Sequence, residues 1–318
     1  MYLSQSNIKT GLLFLVFNRP DTTSKVFEKI RQAKPLRLYV AGDGPRDGNK
    51  EDEEKVEEVR KIATNIDWPC KVKTLFRDKN LGCKKGVGTA IKWFFEHEEQ
   101  GIILEDDCLP HLDFFAFCEN LLDYYAEDER VSVITGNNFQ NNKWRGDASY
   151  YFSKYNHCWG WASWRRSWKY YQSDIEFWPE WSKSKNWLNY IPNKIERRYW
   201  KKIFSDAYQK KIDSWAYSWT ASLWYKGGLT ATPNINLVSN IGFRADATHT
   251  KIKEHKLSIL PTSNLFKIKH PKIVQRNLEA DRFTFDNVFK SKYLCFPYNW
   301  LIFLYRIFKY IFRKKLVR

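Results

Sequence analysis

The chain is short of several things that would place it outside a reducing compartment or inside a bilayer. Its six cysteines, Cys70, Cys83, Cys108, Cys118, Cys158 and Cys295, make no CxxC pair and no zinc-ligand spacing. Thiols scattered in this way favour a reducing compartment. No apolar run reaches 18 residues, so no membrane-spanning helix is expected. The opening MYLSQSNIKT lacks a basic start and an apolar core, so no signal peptide is expected either. The expected location is cytoplasmic. Repeats and low-complexity linkers are also missing. Acid is scarce beside base: 36 Asp and Glu stand against 53 Lys and Arg, a formal net charge of +17. That excess points to anionic partners such as nucleotide phosphates, nucleic acid or an acidic membrane.

Aromatic residues are abundant instead. Fifteen Trp, 18 Tyr and 22 Phe make up 17% of 318 residues. Most should fill a bulky core, and some could stack on flat rings such as sugars or bases. The length suits one large α/β domain or two modest ones.

The first half alternates strand and helix. GLLFLVFNRP (11–20) reads as a strand buried on both faces, followed by a helix over 21–33 with Asp21 at its N-cap. A strand at 36–45, a charged amphipathic helix at 49–66, a strand at 71–78, a helix at 83–100 and a strand at 101–107 continue the pattern. A further helix (112–128) and a fifth strand (131–138) follow. This predicts an α/β fold with a mostly parallel, Rossmann-like central sheet flanked by helices. The strand tips end in Asn18-Arg19, Asp43-Gly44, Arg77-Asp78 and Glu105-Asp106-Asp107. Ligands bind beyond the carboxyl ends of such strands, so these tips should converge on one crevice. From residue 139 the style changes, with aromatic-rich blocks at 156–171 and 213–228 and a loop-like stretch at 237–250.

The acid triplet in GIILEDDCLP (101–110) is the sharpest feature. Like charges at the end of a buried strand are costly unless a cation offsets them, and hard oxygen ligands suit Mg²⁺ or Mn²⁺. An exposed turn with solvated acids is the alternative. LEDDCLP resembles the DxD-type motif of GT-A fold glycosyltransferases, in the Glu-Asp-Asp form similar to N-acetylglucosaminyltransferase I and bacterial nucleotide-diphospho-sugar transferases. FNRP, DGPR, NLGCKKGV, WGWASW, DSWAYSW and NIGFRADATHT extend the resemblance, in order, over about residues 11 to 250.

The resemblance implies a metal-dependent transfer of a sugar from a nucleotide-diphosphate donor, with UDP-sugars favoured, to a saccharide or lipid-linked acceptor. It implies that Asp107 binds the metal and that Glu105 and Asp106 contact the ribose and the transferred sugar. Asp43 would sit near the nucleoside, Arg19 and Arg77 near base or phosphate, and Lys85 near the pyrophosphate, unless Lys85 is only a surface charge. His249 would complete the metal or diphosphate site, or else be a solvated histidine. Direct displacement with inversion needs one carboxylate as general base. Asp213 is the candidate, although the second acid that relatives carry three positions on is Ala216 here, and Asp213 could simply cap the following helix. Asp246 and Asp174 are weaker candidates. A sugar acceptor could stack on Trp215 or Trp219. Trp159 and Trp161 are read as lining the site, while Trp164 and Trp168 are read as core.

These readings divide the chain into a catalytic region, 1–250, with a donor half (1–138) and an acceptor half (139–250), then an extension (251–298). NWLIFLYRIFKYIFRKKLVR (299–318) has helical apolar spacing and six positive charges with no acid. It reads either as a helix lying on an anionic membrane surface, on the inner face of the cytoplasmic membrane, or as a helix docked on the domain. Two other classes stay open. A sugar-nucleotide nucleotidyltransferase would carry a Gly-rich basic signature after its first strand, where FNRPDTT stands. A nucleic-acid or membrane binding module would bind no nucleotide and no metal; no RNA- or DNA-binding motif accompanies the basic aromatic block, so no nucleic-acid partner is expected.

Overall fold

The computed structural model describes residues 7–243, 260–265 and 267–289. His249, Asp246 and the 299–318 segment lie outside the described residues.

The first strand, β1 (Gly11–Val16), is buried at all six positions. Leu12, Phe14 and Val16 join one core, while Leu13 and Leu15 join another across the sheet. Alternate side chains point to opposite faces, so a strand covered on both faces needs apolar residues throughout. The next helix, α1 (Pro20–Ala33), opens on Pro20, whose fixed φ and missing N–H suit the first helical position. Asp21 therefore lies in the first turn and is not the N-cap; Arg19 holds that position without a side-chain cap bond. The alternation continues through β2 (Arg37–Gly42), α2 (Lys50–Ala63), β3 (Lys71–Phe76), α3 (Gly82–His97) and β4 (Gln100–Glu105).

Beyond the acid triplet come β5 (Cys108–Pro110), α4 (Leu112–Tyr124), β6 (Val131–Thr135), β7 (Tyr150–Ser153) and β8 (Trp161–Trp164). The second aromatic region folds into helices α5 (Arg165–Trp168), α6 (Trp178–Trp181), α7 (Lys185–Tyr190), α8 (Lys194–Tyr208) and α9 (Trp215–Lys226). Strands β9 (Leu229–Pro233) and β10 (Val238–Asn240) and helix α10 (Leu278–Val288) follow.

One sheet unites both halves of the chain, in the order β3-β2-β1-β4-β8-β6-β9-β7. Strands β1 to β4 are mutually parallel where they pair, as are β6 and β9. The sheet is nonetheless mixed, because β8 runs antiparallel to β4 and β6, and β7 antiparallel to β9. The stretch expected as loop at 237–250 contributes β10, which pairs with β5 through Asn240 opposite Cys108. The chain leaves β1 to one side through β2 and β3 and returns on the other side as β4. That reversal opens a crevice at the strands' carboxyl ends.

The aromatic excess is mostly a packing layer. Nine of the fifteen tryptophans are buried in the core formed by α3, α5 to α9 and one sheet face. Trp161 is 1% exposed, stacked on Trp215 with ring centroids 5.7 Å apart and next to Trp168 and Trp219. Trp161→Ala should therefore lower unfolding free energy by about 3–5 kcal/mol, the range for emptying a large aromatic site. Chemical denaturation checks this; a change under about 1 kcal/mol would place the ring outside the core.

Candidate functional site

A cleft of about 710 Å³ opens where β1, β2 and β4 end. Its polar side carries Arg19, Asp43, Arg77 and the acid triplet. Its lining is also aromatic, with Tyr155, Trp159, Trp200 and Tyr217, and Phe289 after the end of α10. The strand tips read from the sequence do converge here. They do so because the parallel register sets the ends of β1, β2 and β4 side by side, Leu15 opposite both Ala41 and Glu105.

Within the triplet each acid meets a different environment. Asp106 turns back under β1, where its Oδ2 accepts the Phe17 N–H at 3.1 Å. Asp107 accepts from Arg19 Nη1 at 2.8 Å and lies 3.4 Å from Asn240 Nδ2. Its backbone carbonyl accepts the Ile241 N–H at 2.8 Å. Gly242 lets this strand end approach, since a Cβ there would stand 2.1 Å from Asp107 Oδ2. Arg19 also lies 3.7 Å from Asp106 Oδ1, so one guanidinium faces two carboxylates. Burial pushes the Glu105 carboxyl up to about 8, and its two acidic neighbours add to the rise. Burial and the Asp107 charge push Asp106 up to about 7, with Arg19 opposing. Among the described residues, Arg19 is the cation placed against the triplet.

The start of α3 is held by two other acids. Asp43 accepts the N–H groups of Leu81 and Gly82, with contacts of 2.9 to 3.1 Å. Asp213 accepts those of Cys83 at 3.1 Å and Lys84 at 3.0 Å. The four donors that a helix start leaves unpaired are thus all taken. Gly82, at φ +77°, makes the approach possible, because a Cβ would sit 2.8 Å from Asp213 Oδ2. A phosphate cannot use this helix end without displacing a carboxylate. Asp213 therefore caps α3, packed beside it in space, and not α9, whose N-cap is Ser214.

Most residues singled out in the sequence line the cleft: Arg19, Asp43, Arg77, Glu105, Asp106, Asp107, Trp159 and Asp213. Five do not behave as expected. Trp161 is core, as described, because its ring points away from the tips into the layer beneath α9. Lys85 is exposed on α3 and absent from the cleft wall, since the helix turns its side chain away. Trp219 is fully buried and offers no stacking face, and Trp215 presents only an edge of the wall at 2% exposure. Asp174 pairs with Lys84 at 2.8 Å and Lys210 at 3.2 Å, outside the cleft.

Four contributors escaped sequence reading. Arg46 reaches the cleft and bonds Asp52 Oδ1 at 2.8 Å; that pair holds the Asp52 carboxyl down to about 2. The DGPR run carried a signal for it. His157, between the rings of Phe139 and Tyr155, is pushed down to about 3 by burial and is neutral at working pH. Asn240 opens the NIGFRADATHT run but carried no role of its own, and the end of α10 comes from distant sequence with no local signal.

The chain matches no family model and no curated protein. Among the described residues no group of three or more His, Cys, Asp or Glu side chains is gathered around a metal-sized position. One carboxylate, Asp107, faces the cleft beside two others. These carboxylates are oxygen donors of the kind hard divalent cations take, but alone they do not make a complete ligand set.

A carboxyl raised above its unfolded value binds extra protons in the fold, so stability falls as pH climbs through the raised range. Glu105 and Asp106 predict a lower unfolding temperature at about pH 8.5 than at about pH 6.5 without metal. His157, neutral in the fold and half protonated in the unfolded chain at about pH 6.5, opposes this slope by only about 0.4 kcal/mol across the window. Glu105→Gln should flatten the slope, and millimolar Mn²⁺ should raise the melting temperature more at the higher pH. Differential scanning fluorimetry reads all three; equal slopes in variant and parent would contradict the electrostatic account.

Proposed function

We propose that this chain is a metal-dependent, inverting glycosyltransferase of GT-A type, transferring a sugar from a nucleotide-diphosphate donor, with UDP-sugars favoured, to a saccharide or lipid-linked acceptor. One observation carries the reading: three adjacent carboxylates at the switch point of the sheet, lining a roomy cleft together with arginines and aromatic rings. Sites in open α/β sheets lie at this point. Mg²⁺ or Mn²⁺, when bound, would offset the acids and stabilise charge developing on the leaving diphosphate.

The chain's own residues have separable tasks in this reading. Asp107 would hold the cation, and His249 is proposed to join it. Arg19 pairs with Asp107 at 2.8 Å, so on donor binding its guanidinium is placed to turn from carboxylate to phosphate. Glu105 and Asp106 take donor hydroxyls, Glu105 from the cleft floor. Asp43 steadies the rim near the nucleoside, and Arg77, anchored by its Nη2 to Thr89 Oγ1 at 2.7 Å, offers charge beside it. Trp159, wedged against Phe139 and Phe243, offers a ring edge to the sugar. The aromatic wall excludes water from the reacting carbon and orients the acceptor.

Asp213 is proposed as the base that receives the acceptor hydroxyl's proton. It also tethers α3, and the two roles separate experimentally. Asp213→Asn as a lost base abolishes transfer while donor affinity and melting temperature hold. As a lost cap it leaves one of the two N–H groups unpaired and loosens the donor rim, so donor affinity and melting temperature fall together.

Screening nucleotide sugars for hydrolysis with Mn²⁺ identifies the donor. Asp107→Ala should reduce turnover at least 100-fold without lowering the melting temperature, an order of magnitude expected for a lost metal ligand. Full activity in that variant would dismiss the reading.

A further inference from the structure

Helix α8 has two faces with different business. Its inner face buries Glu196, Trp200, Phe204 and Ala207, and Trp200 is part of the cleft wall. The outer face carries Lys194, Arg198, Lys201 and Lys202, all exposed and within one arc at helical spacing. The acids of this helix do not balance them. Glu196 is turned inward to Lys154 and Tyr155. Asp206, one turn further on, pairs with Lys202 alone. Arg197 is spent on the carbonyls of Ile191 and Pro192. Two apolar side chains flank the cations in the open, Ile195 at 38% and Tyr208 at 40% exposure.

A convex, acid-poor cationic arc edged by an isoleucine and a tyrosine fits a flat anionic surface with an apolar layer just beneath it. Among the described residues this face offers one well-exposed ring, Tyr208, where single-stranded nucleic acid would need several stacking rings along a groove. We propose that the outer face of α8 docks on anionic lipid bilayers. The cations meet headgroups, and Ile195 and Tyr208 sit at the acyl boundary. Because the same helix walls the cleft with Trp200, docking brings the cleft to the bilayer surface. This surface is independent of the proposed chemistry and of residues 299–318.

The test is sedimentation of the full chain with vesicles of phosphatidylcholine containing about 40 mol% phosphatidylglycerol. Lys194, Arg198, Lys201 and Lys202 are together replaced by Gln. In a control, four exposed lysines elsewhere, Lys25, Lys61, Lys71 and Lys73, are replaced by Gln. The α8 variant should lose at least about tenfold in partitioning, with a shallower salt dependence. The control should lose much less, and neither should bind pure phosphatidylcholine tightly. Contributions of separate basic segments add in free energy, so binding by another segment does not hide the loss. Unchanged partitioning of the α8 variant overturns the proposal. An equal loss in the control overturns it too, because net charge would then explain both. Loss of RNA binding with vesicle binding intact would assign the face to nucleic acid. Melting temperatures verify that both variants fold.

Discussion

Glu105, Asp106 and Asp107 stand at the end of a strand whose neighbours are covered on both faces, with the Arg19 guanidinium set against the last two. Carboxylates in such a place stay charged only when something positive joins them. The surrounding architecture follows from that constraint. Gly242 removes a side chain so that the β10 segment can close on Asp107, and β5 and β10 pair to hold the turn. Arg46 and Asp52, tied to Asn18, brace the adjacent tip. In the proposed reading, a cation joins Arg19 in offsetting these acids.

The second organising contact is the start of α3. Two carboxylates from opposite ends of the sequence, Asp43 and Asp213, each satisfy two N–H groups of one helix terminus. The helix end is thereby filled, and any diphosphate in the cleft must depend on arginines and a cation. The same contact stitches the segment before α9 to the first half of the sheet. A bond spanning 130 residues ties the start of α3 to the segment before α9.

The parallel half of the sheet was legible because its rules are local. Apolar runs of strand length, helical periodicity and polar tips all lie within thirty-residue units, and the tips converge as the topology requires. The triplet and its neighbours Arg19, Asp43 and Arg77 were legible for the same reason. The antiparallel β8 insertion, which makes the sheet mixed, depends on long-range pairing that periodicity does not encode. Trp161 was misread because a Trp in an aromatic run carries no mark of which face it takes; pairing of β8 with β4 and β6 turned it into the core. Lys85 takes the surface position that its sequence left open, because the turn before α3 sets the phase of that helix. Asp213 was read as a base or as the cap of its own following helix, and capping a helix distant in sequence was invisible without the fold.

The central claim is that the triplet takes a divalent cation together with a nucleoside diphosphate. Isothermal titration of the protein with UDP, with and without Mn²⁺, tests it most directly. The account predicts binding that strengthens at least about tenfold with Mn²⁺ and loses that gain in Asp107→Ala, a change of about 1.4 kcal/mol or more. UDP affinity that is the same with and without metal, or that survives unchanged in the variant, would contradict it.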